Sequence, residues 1–184
     1  MYPGHECTGR VHDVRTLVLS VLGNDRPGLV EAIASVIANG GGSWDRSHMS
    51  RLAGKFAGIV EATVPADRHA EVVAALRSMS AEGLVQIEVE TGDTSDDDAD
   101  QVALHLLGSD RPGIVREISA AMASLGVSIV ELETETTSAP MAGELLFAAR
   151  AVLQPPSGLE LDRVRDALER LANELMVDIE LSTG

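Results

Sequence analysis

Asn24-Asp25-Arg26-Pro27-Gly28-Leu29-Val30 returns later in the chain as Ser109-Asp110-Arg111-Pro112-Gly113-Ile114-Val115, every residue displaced by 85. Each copy follows an apolar run, Leu17 to Leu22 or Val102 to Leu107, and then a glycine, Gly23 or Gly108. Such short apolar runs suit strands buried on both faces. Each copy also opens a segment of helical period, with proline placed for the first turn, where its missing N–H costs nothing. A strand that turns through a polar corner into a helix leaves main-chain N–H groups without intrahelical acceptors. Those donors favour a bound anion or carboxylate.

A period of 85 residues is too long for a solenoid repeat and fits a duplicated domain. In the first copy, Leu29, Ile33, Val36 and Ile37 form one helical stripe, ended by Asn39-Gly40-Gly41-Gly42. Trp44 to Leu52 and Lys55 to Val64 read as a hairpin about Ala53-Gly54, broken by Pro65. Asp67 is placed to cap a second helix striped by Val72, Leu76 and Met79 and stopped at Gly83. Val85, Ile87 and Val89 alternate with polar residues as a half-exposed strand.

The second copy repeats the plan. Ile114, Ile118, Met122 and Leu125 stripe its first helix, and Gly126 matches Gly41 at the same offset. Val127 to Thr136 and Glu144 to Leu153 form its hairpin, Val164, Leu168 and Leu171 stripe its last helix, and Val177, Ile179 and Leu181 close its sheet. The closing strands sit at an offset of 92, which puts the extra residues in the turn Ser138 to Gly143 and around Pro155. The expected fold class is α+β: two ferredoxin-like βαββαβ units in tandem, each an antiparallel sheet with helices on one face. The expected divisions are a flexible N-terminus over 1–13, a first domain over 14–91, an acidic linker over 92–100 and a second domain over 101–182. The linker carries Asp93, Asp96, Asp97, Asp98 and Asp100 and reads as a solvated, self-repelling tether. Its spacing does not match a calcium-binding loop.

Charge excludes some partners. The net charge is −15, with −3 on residues 1–92 (8 basic, 11 acidic) and −12 on residues 93–184 (6 basic, 18 acidic). Lys55 is the sole lysine, and there is no basic run to displace counterions from phosphates. Direct nucleic-acid binding and attraction to an anionic membrane are not expected. A single cysteine, Cys7, allows no intramolecular disulfide, and there is neither a signal peptide nor an apolar run of about 18 residues, so a cytoplasmic protein is expected.

No catalytic constellation is found, and an enzyme is not expected. His5, His12, His48, His69 and His105 lack metal-ligand spacing, no serine sits in a nucleophile elbow, and Gly40-Gly41-Gly42 follows a helix instead of leading into one. Neither metal nor cofactor is implied.

A free amino acid needs donors for its carboxylate and acceptors for its ammonium. The candidate ligand-binding residues are therefore Asn24, Asp25, Arg26, Pro27, Gly28 and Leu29 at the first corner, and Ser109, Asp110, Arg111, Pro112, Gly113 and Ile114 at the second. Asn39, at the end of the first helix, is a further candidate. The competing interpretation is that each corner only caps its helix, with Asp25 and Asp110 bonding local amides. The second strand of a ferredoxin-like unit lies at the sheet edge, and edge pairing of two units would set each first loop beside the other's second strand. Trp44, Arg46, His48, Glu131 and Glu133 are the candidate interface residues; Arg46 aligns with Glu131 and His48 with Glu133, which allows cross-domain ion pairs, while the favoured alternative is that Glu131, Glu133 and Glu135 form an ordinary exposed face.

Two such units, each with Asp-Arg-Pro-Gly after its first strand, resemble a tandem ACT-domain protein. Gly42-Ser43-Trp44 and the stretch Arg51-Leu52-Ala53-Gly54-Lys55-Phe56-Ala57-Gly58-Ile59-Val60 are similar to the glycine cleavage system transcriptional repressor family. The resemblance spans residues 14–182, and only the first copy carries the hairpin marker; the second has Thr137-Ser138-Ala139-Pro140-Met141 there. It implies a regulator that binds an amino acid such as glycine at the first strand–helix loop. It further implies that the partner contacted is a transcription factor or other regulated protein, not DNA. The ligand-free alternative is an interaction module that uses the fold to dimerise or dock.

Overall fold

The computed structural model describes residues 13–81, 83, 85–92, 101–138 and 145–183. The expected flexible N-terminus falls outside them except for Asp13, as do the linker beyond Gly92 and the hairpin turn beyond Ser138. The chain divides into two compact units, Met1–Ser95 and Asp96–Gly184.

In the first unit the order is β1 (Val14–Asn24), α1 (Leu29–Asn39), β2 (Ser43–Leu52), β3 (Lys55–Pro65), α2 (His69–Ala81) and β4 (Val85–Thr91). The second unit repeats it as β5 (Val102–Ser109), α3 (Ile114–Ser124), β6 (Ser128–Ser138), β7 (Leu145–Gln154), α4 (Leu161–Leu175) and β8 (Val177–Thr183). The sheets run β2-β3-β1-β4 and β6-β7-β5-β8, with every neighbouring pair antiparallel. This is the ferredoxin-like arrangement expected from the repeat.

The predicted stripes build the cores. Leu29, Ile33 and Ile37 of α1 and Val72 and Leu76 of α2 are buried against Leu17, Leu19, Val21, Val60, Ala62 and Val64. Ile114, Ile118 and Met122 of α3 and Val164, Leu168, Leu171 and Leu175 of α4 do the same in the second unit. Each such side chain contributes about 1.5–3 kcal/mol of transfer free energy, so the period of the apolar residues decides which helix face turns inward. Both units carry a bulge at matched places, between Trp44 and Arg46 and between Ile129 and Glu131. A bulge inserts one residue and bends the edge strand. Gly41 and Gly126, with φ of 74° and 71°, end α1 and α3 as the sequence predicts.

Two local expectations are corrected. Pro27 and Pro112 stand before their helices instead of inside the first turn: α1 opens at Leu29 and α3 at Ile114. Gly28 at φ 87°, ψ −3° and Gly113 at φ 92°, ψ −1° have the geometry of the second central residue of a type II turn, with proline at the first. In the second copy the turn is closed by the Ile114 N–H donating to the Arg111 carbonyl at 3.5 Å. A left-handed glycine cannot be a helical residue, so the helix waits one position longer. Likewise α2 begins at His69, so the residue preceding it is Arg68 and not the expected cap Asp67.

Candidate functional site

The two corners share a backbone frame. The Asp25 N–H donates to the Gly54 carbonyl at 3.0 Å, and the Asp110 N–H to the Leu145 carbonyl at 2.8 Å. In each unit the corner is thereby hooked to the hairpin beside it. Neither helix has a side-chain cap. The N-cap residues are Gly28 and Gly113, and the Asp25 carboxylate accepts from Arg51 Nη1 at 3.1 Å.

Around the first corner lies a cavity of about 450 Å³ lined by Asp25, Arg26, Gly28, Leu29, Val30, Glu31 and Phe56. The volume is of the size that holds a small ligand, for which about 300–1,000 Å³ is usual. Its lining surface is mainly apolar, and the charged residues Arg26, Asp25 and Glu31 stand among the lining residues with Leu29, Val30 and Phe56. No carboxylate pairs with Arg26 among the described residues. Glu31 accepts from the Ser35 hydroxyl at 3.3 Å. Gly28 keeps open space beside it: a Cβ built there meets nothing within 4 Å.

The β2–β3 hairpin brings further residues to this corner. The register pairs Asn24 with Lys55 and Gly23 with Phe56, and Lys55 Nζ donates to Asn24 Oδ1 at 2.7 Å. Its turn is tight, with Ala53 at φ 49° and Gly54 at φ 77°. Two positive φ values in a two-residue loop give the turn whose twist matches paired strands. Arg51, Lys55 and Phe56 were legible only as family markers, because their place at the corner depends on strand register. Val30, the last residue of the quoted stretch, and Glu31, the residue after it, are lining residues outside the expected set.

The second corner is built differently. Arg111 donates to Glu117 through both terminal nitrogens, Nη1 to Oε1 at 3.2 Å and Nη2 to Oε2. The hydrogen bond from Arg111 holds the Glu117 carboxyl below its ordinary value; partial desolvation opposes this, while the charges of Arg111 and Arg116 add to it. Arg116 Nη2 lies 3.4 Å and Glu117 Oε1 3.7 Å from the Cβ position of Gly113. At the offset of 85, Arg116 and Glu117 correspond to Glu31 and Ala32.

The remaining candidates separate. Asn39 stands at the opposite end of α1, about 16 Å along an eleven-residue helix from the corner, and does not line the cavity. Trp44 packs partly buried against the first core. Arg46 pairs with Glu61, its register neighbour on β3, and Glu133 lies 3.8 Å from Arg150, its neighbour on β7. His48 faces Ile59 in register, and Glu131 faces Val152. Among the described residues no group of His, Cys, Asp and Glu can hold a metal ion, and no helix is long and apolar enough to cross a membrane.

Two ferredoxin-like units with matched Pro-Gly corners define a tandem α+β protein. The chain belongs to the ACT domain family, which matches residues 15–90 and again residues 100–182. It is similar to the solved structure of an unknown protein from Galdieria sulphuraria, at 34% identity and a TM-score of 0.82, covering 94% of this chain and 99% of that one. It also shares its fold with a candidate glycine cleavage system transcriptional repressor, at 16% identity and a TM-score of 0.70, over 93% of this chain and 98% of that one. No curated protein matches the chain in sequence.

Proposed function

We propose that this protein is an amino-acid-responsive regulator that binds a free amino acid at the first corner and passes the signal to a protein partner. The observation that carries this reading is the cavity of about 450 Å³ whose lining residues include Arg26, Asp25 and Glu31 beside Leu29, Val30 and Phe56. A zwitterion fits that set: its carboxylate meets Arg26 and its ammonium meets Asp25 or Glu31, while a small side chain lies on Leu29, Val30 and Phe56. Glycine is the first ligand to try, given the fold shared with a candidate glycine cleavage repressor. A net charge of −15 with one lysine favours a protein partner, a transcription factor among them, over nucleic acid or membrane. By linkage, ligand and partner bias each other's binding equally. The setting that suits this role is the cytoplasm, and catalysis has no part in it.

A second reading is a ligand-free module that docks or dimerises. It is favoured by Leu52, which is 81% exposed at the hairpin tip. A thermal-shift panel of the proteinogenic amino acids decides between them. Sensing requires a stabilising hit, about 2.7 kcal/mol at a ligand concentration 100-fold above Kd, that is lost in Asp25→Ala. No shift with any amino acid at millimolar concentration would leave only docking.

A further inference from the structure

The two corners have the same backbone and opposite side-chain solutions. At the second, Arg111 is engaged by Glu117 through a two-point guanidinium–carboxylate pair, both residues being about one-third exposed. Such a pair is the geometry in which an arginine would hold a ligand's carboxylate. The position corresponding to Glu117 in the first unit is Ala32, which has no carboxylate to offer. Arg26 accordingly lines a cavity without an acidic partner among the described residues. The glycines show the same contrast: space beside Gly28 is open, whereas Arg116 and the same Glu117 stand within 4 Å of the Cβ position of Gly113.

Resting on the amino-acid-binding reading above, we propose that the corners are unequal: the first binds the ligand's carboxylate on Arg26, and the second is filled by its own Glu117. Glu117 acts there as a tethered substitute for a ligand. Residue 32, with its counterpart 117, is then the position that decides whether a corner of this fold is open. The adjacent pair strengthens the difference, since Glu31 offers an acceptor for an ammonium where the second unit has the cation Arg116.

The test is calorimetric titration of the full chain with glycine and then each other proteinogenic amino acid. Wild-type protein is expected to bind one ligand per chain. Ala32→Glu places a carboxylate within reach of Arg26 and should weaken that binding by about tenfold or more. Ala32→Gln, of the same size without the charge, should stay within about threefold of wild type, and thermal unfolding confirms that both variants are folded. Two equivalent sites per chain would overturn the inequality while leaving the sensing reading intact. Equal loss in Ala32→Gln and Ala32→Glu would overturn the role of charge at residue 32. No binding of any amino acid to wild type would overturn the sensing reading, and this inference with it.

Discussion

Arg51 Nη1 donates to Asp25 Oδ2 at 3.1 Å, a contact that spans 26 residues of sequence and ties the hairpin tip to the corner of the cavity. Its worth to the fold is small, because the Arg51 and Asp25 side chains are 69% and 38% exposed. Exposed ion pairs contribute about 0–1 kcal/mol after solvent screening and lost rotamer freedom. Arg51→Ala should therefore shift the denaturant midpoint little. On the sensing reading it should weaken ligand binding, since Asp25 lines the cavity and accepts a hydrogen bond from Arg51. Urea unfolding and amino-acid titration of the same variant separate the two effects. A stability loss well above about 1 kcal/mol would show that the hairpin supports the corner in the fold itself.

Acid should act on the second unit through Glu117. Arg111 holds that carboxyl below its ordinary value near 4.5, so the folded state favours the ionised form. A carboxylate whose folded pKa is depressed adds stability above its unfolded pKa, and that stability is lost as pH falls through the folded value. The difference between wild type and Glu117→Gln should therefore be constant near neutral pH and shrink below about 4.5. Urea denaturation of both proteins from neutral pH down to about 3 measures it. A difference that grows on acidification would contradict the assigned direction.

The sheets and core faces could be read in the chain because period and offset are local signals repeated twice. Gly126 follows from Gly41 by counting, and the α4 stripe from the spacing of Val164, Leu168 and Leu171. The helix starts could not be read as well, because Pro27-Gly28 satisfies both a helix first turn and a type II turn. Only the observed φ of 87° at Gly28 separates the two. Candidate site residues that depend on non-local pairing were harder still. Phe56 reaches the corner by its register with Gly23. The Arg111–Glu117 pair joins a turn residue to a helix residue six positions on, a spacing that no helical rule predicts. On the edge strands Arg46 pairs with Glu61 and Glu133 with Arg150, contacts that follow from strand register and not from sequence spacing.

Gly28 should be costly to replace even though there is room. A side chain there meets no neighbour within 4 Å, but the residue holds φ at 87°. Forcing an L-residue into the left-handed region costs about 1–2 kcal/mol. Gly28→Ala should destabilise by that amount, and Gly28→Asn by less, because asparagine tolerates the region. Chemical denaturation of the two variants checks the order. Equal losses would mean that the strain is not what glycine relieves at this corner.

Gly58 and Gly108 pose the opposite problem, being strand glycines with no space beside them. A Cβ at Gly58 would stand 2.3 Å from the His48 carbonyl oxygen and 2.6 Å from Met49 Cα, both backbone atoms of β2. At Gly108 it would stand 2.2 Å from Val177 Cγ1 and 2.8 Å from Val177 Cβ, in a side chain that can be trimmed. Each alanine substitution should cost about 1–3 kcal/mol by overpacking. The second-site response should differ: Val177→Ala removes the nearest clashing atom and should recover part of the loss in Gly108→Ala, whereas Met49→Ala leaves the β2 backbone in place and should recover little in Gly58→Ala. A double-mutant cycle by urea denaturation reads this as a coupling energy at the first pair and near additivity at the second. Full rescue of Gly58→Ala by Met49→Ala would show that the obstruction there is the methionine side chain and not the strand beneath it.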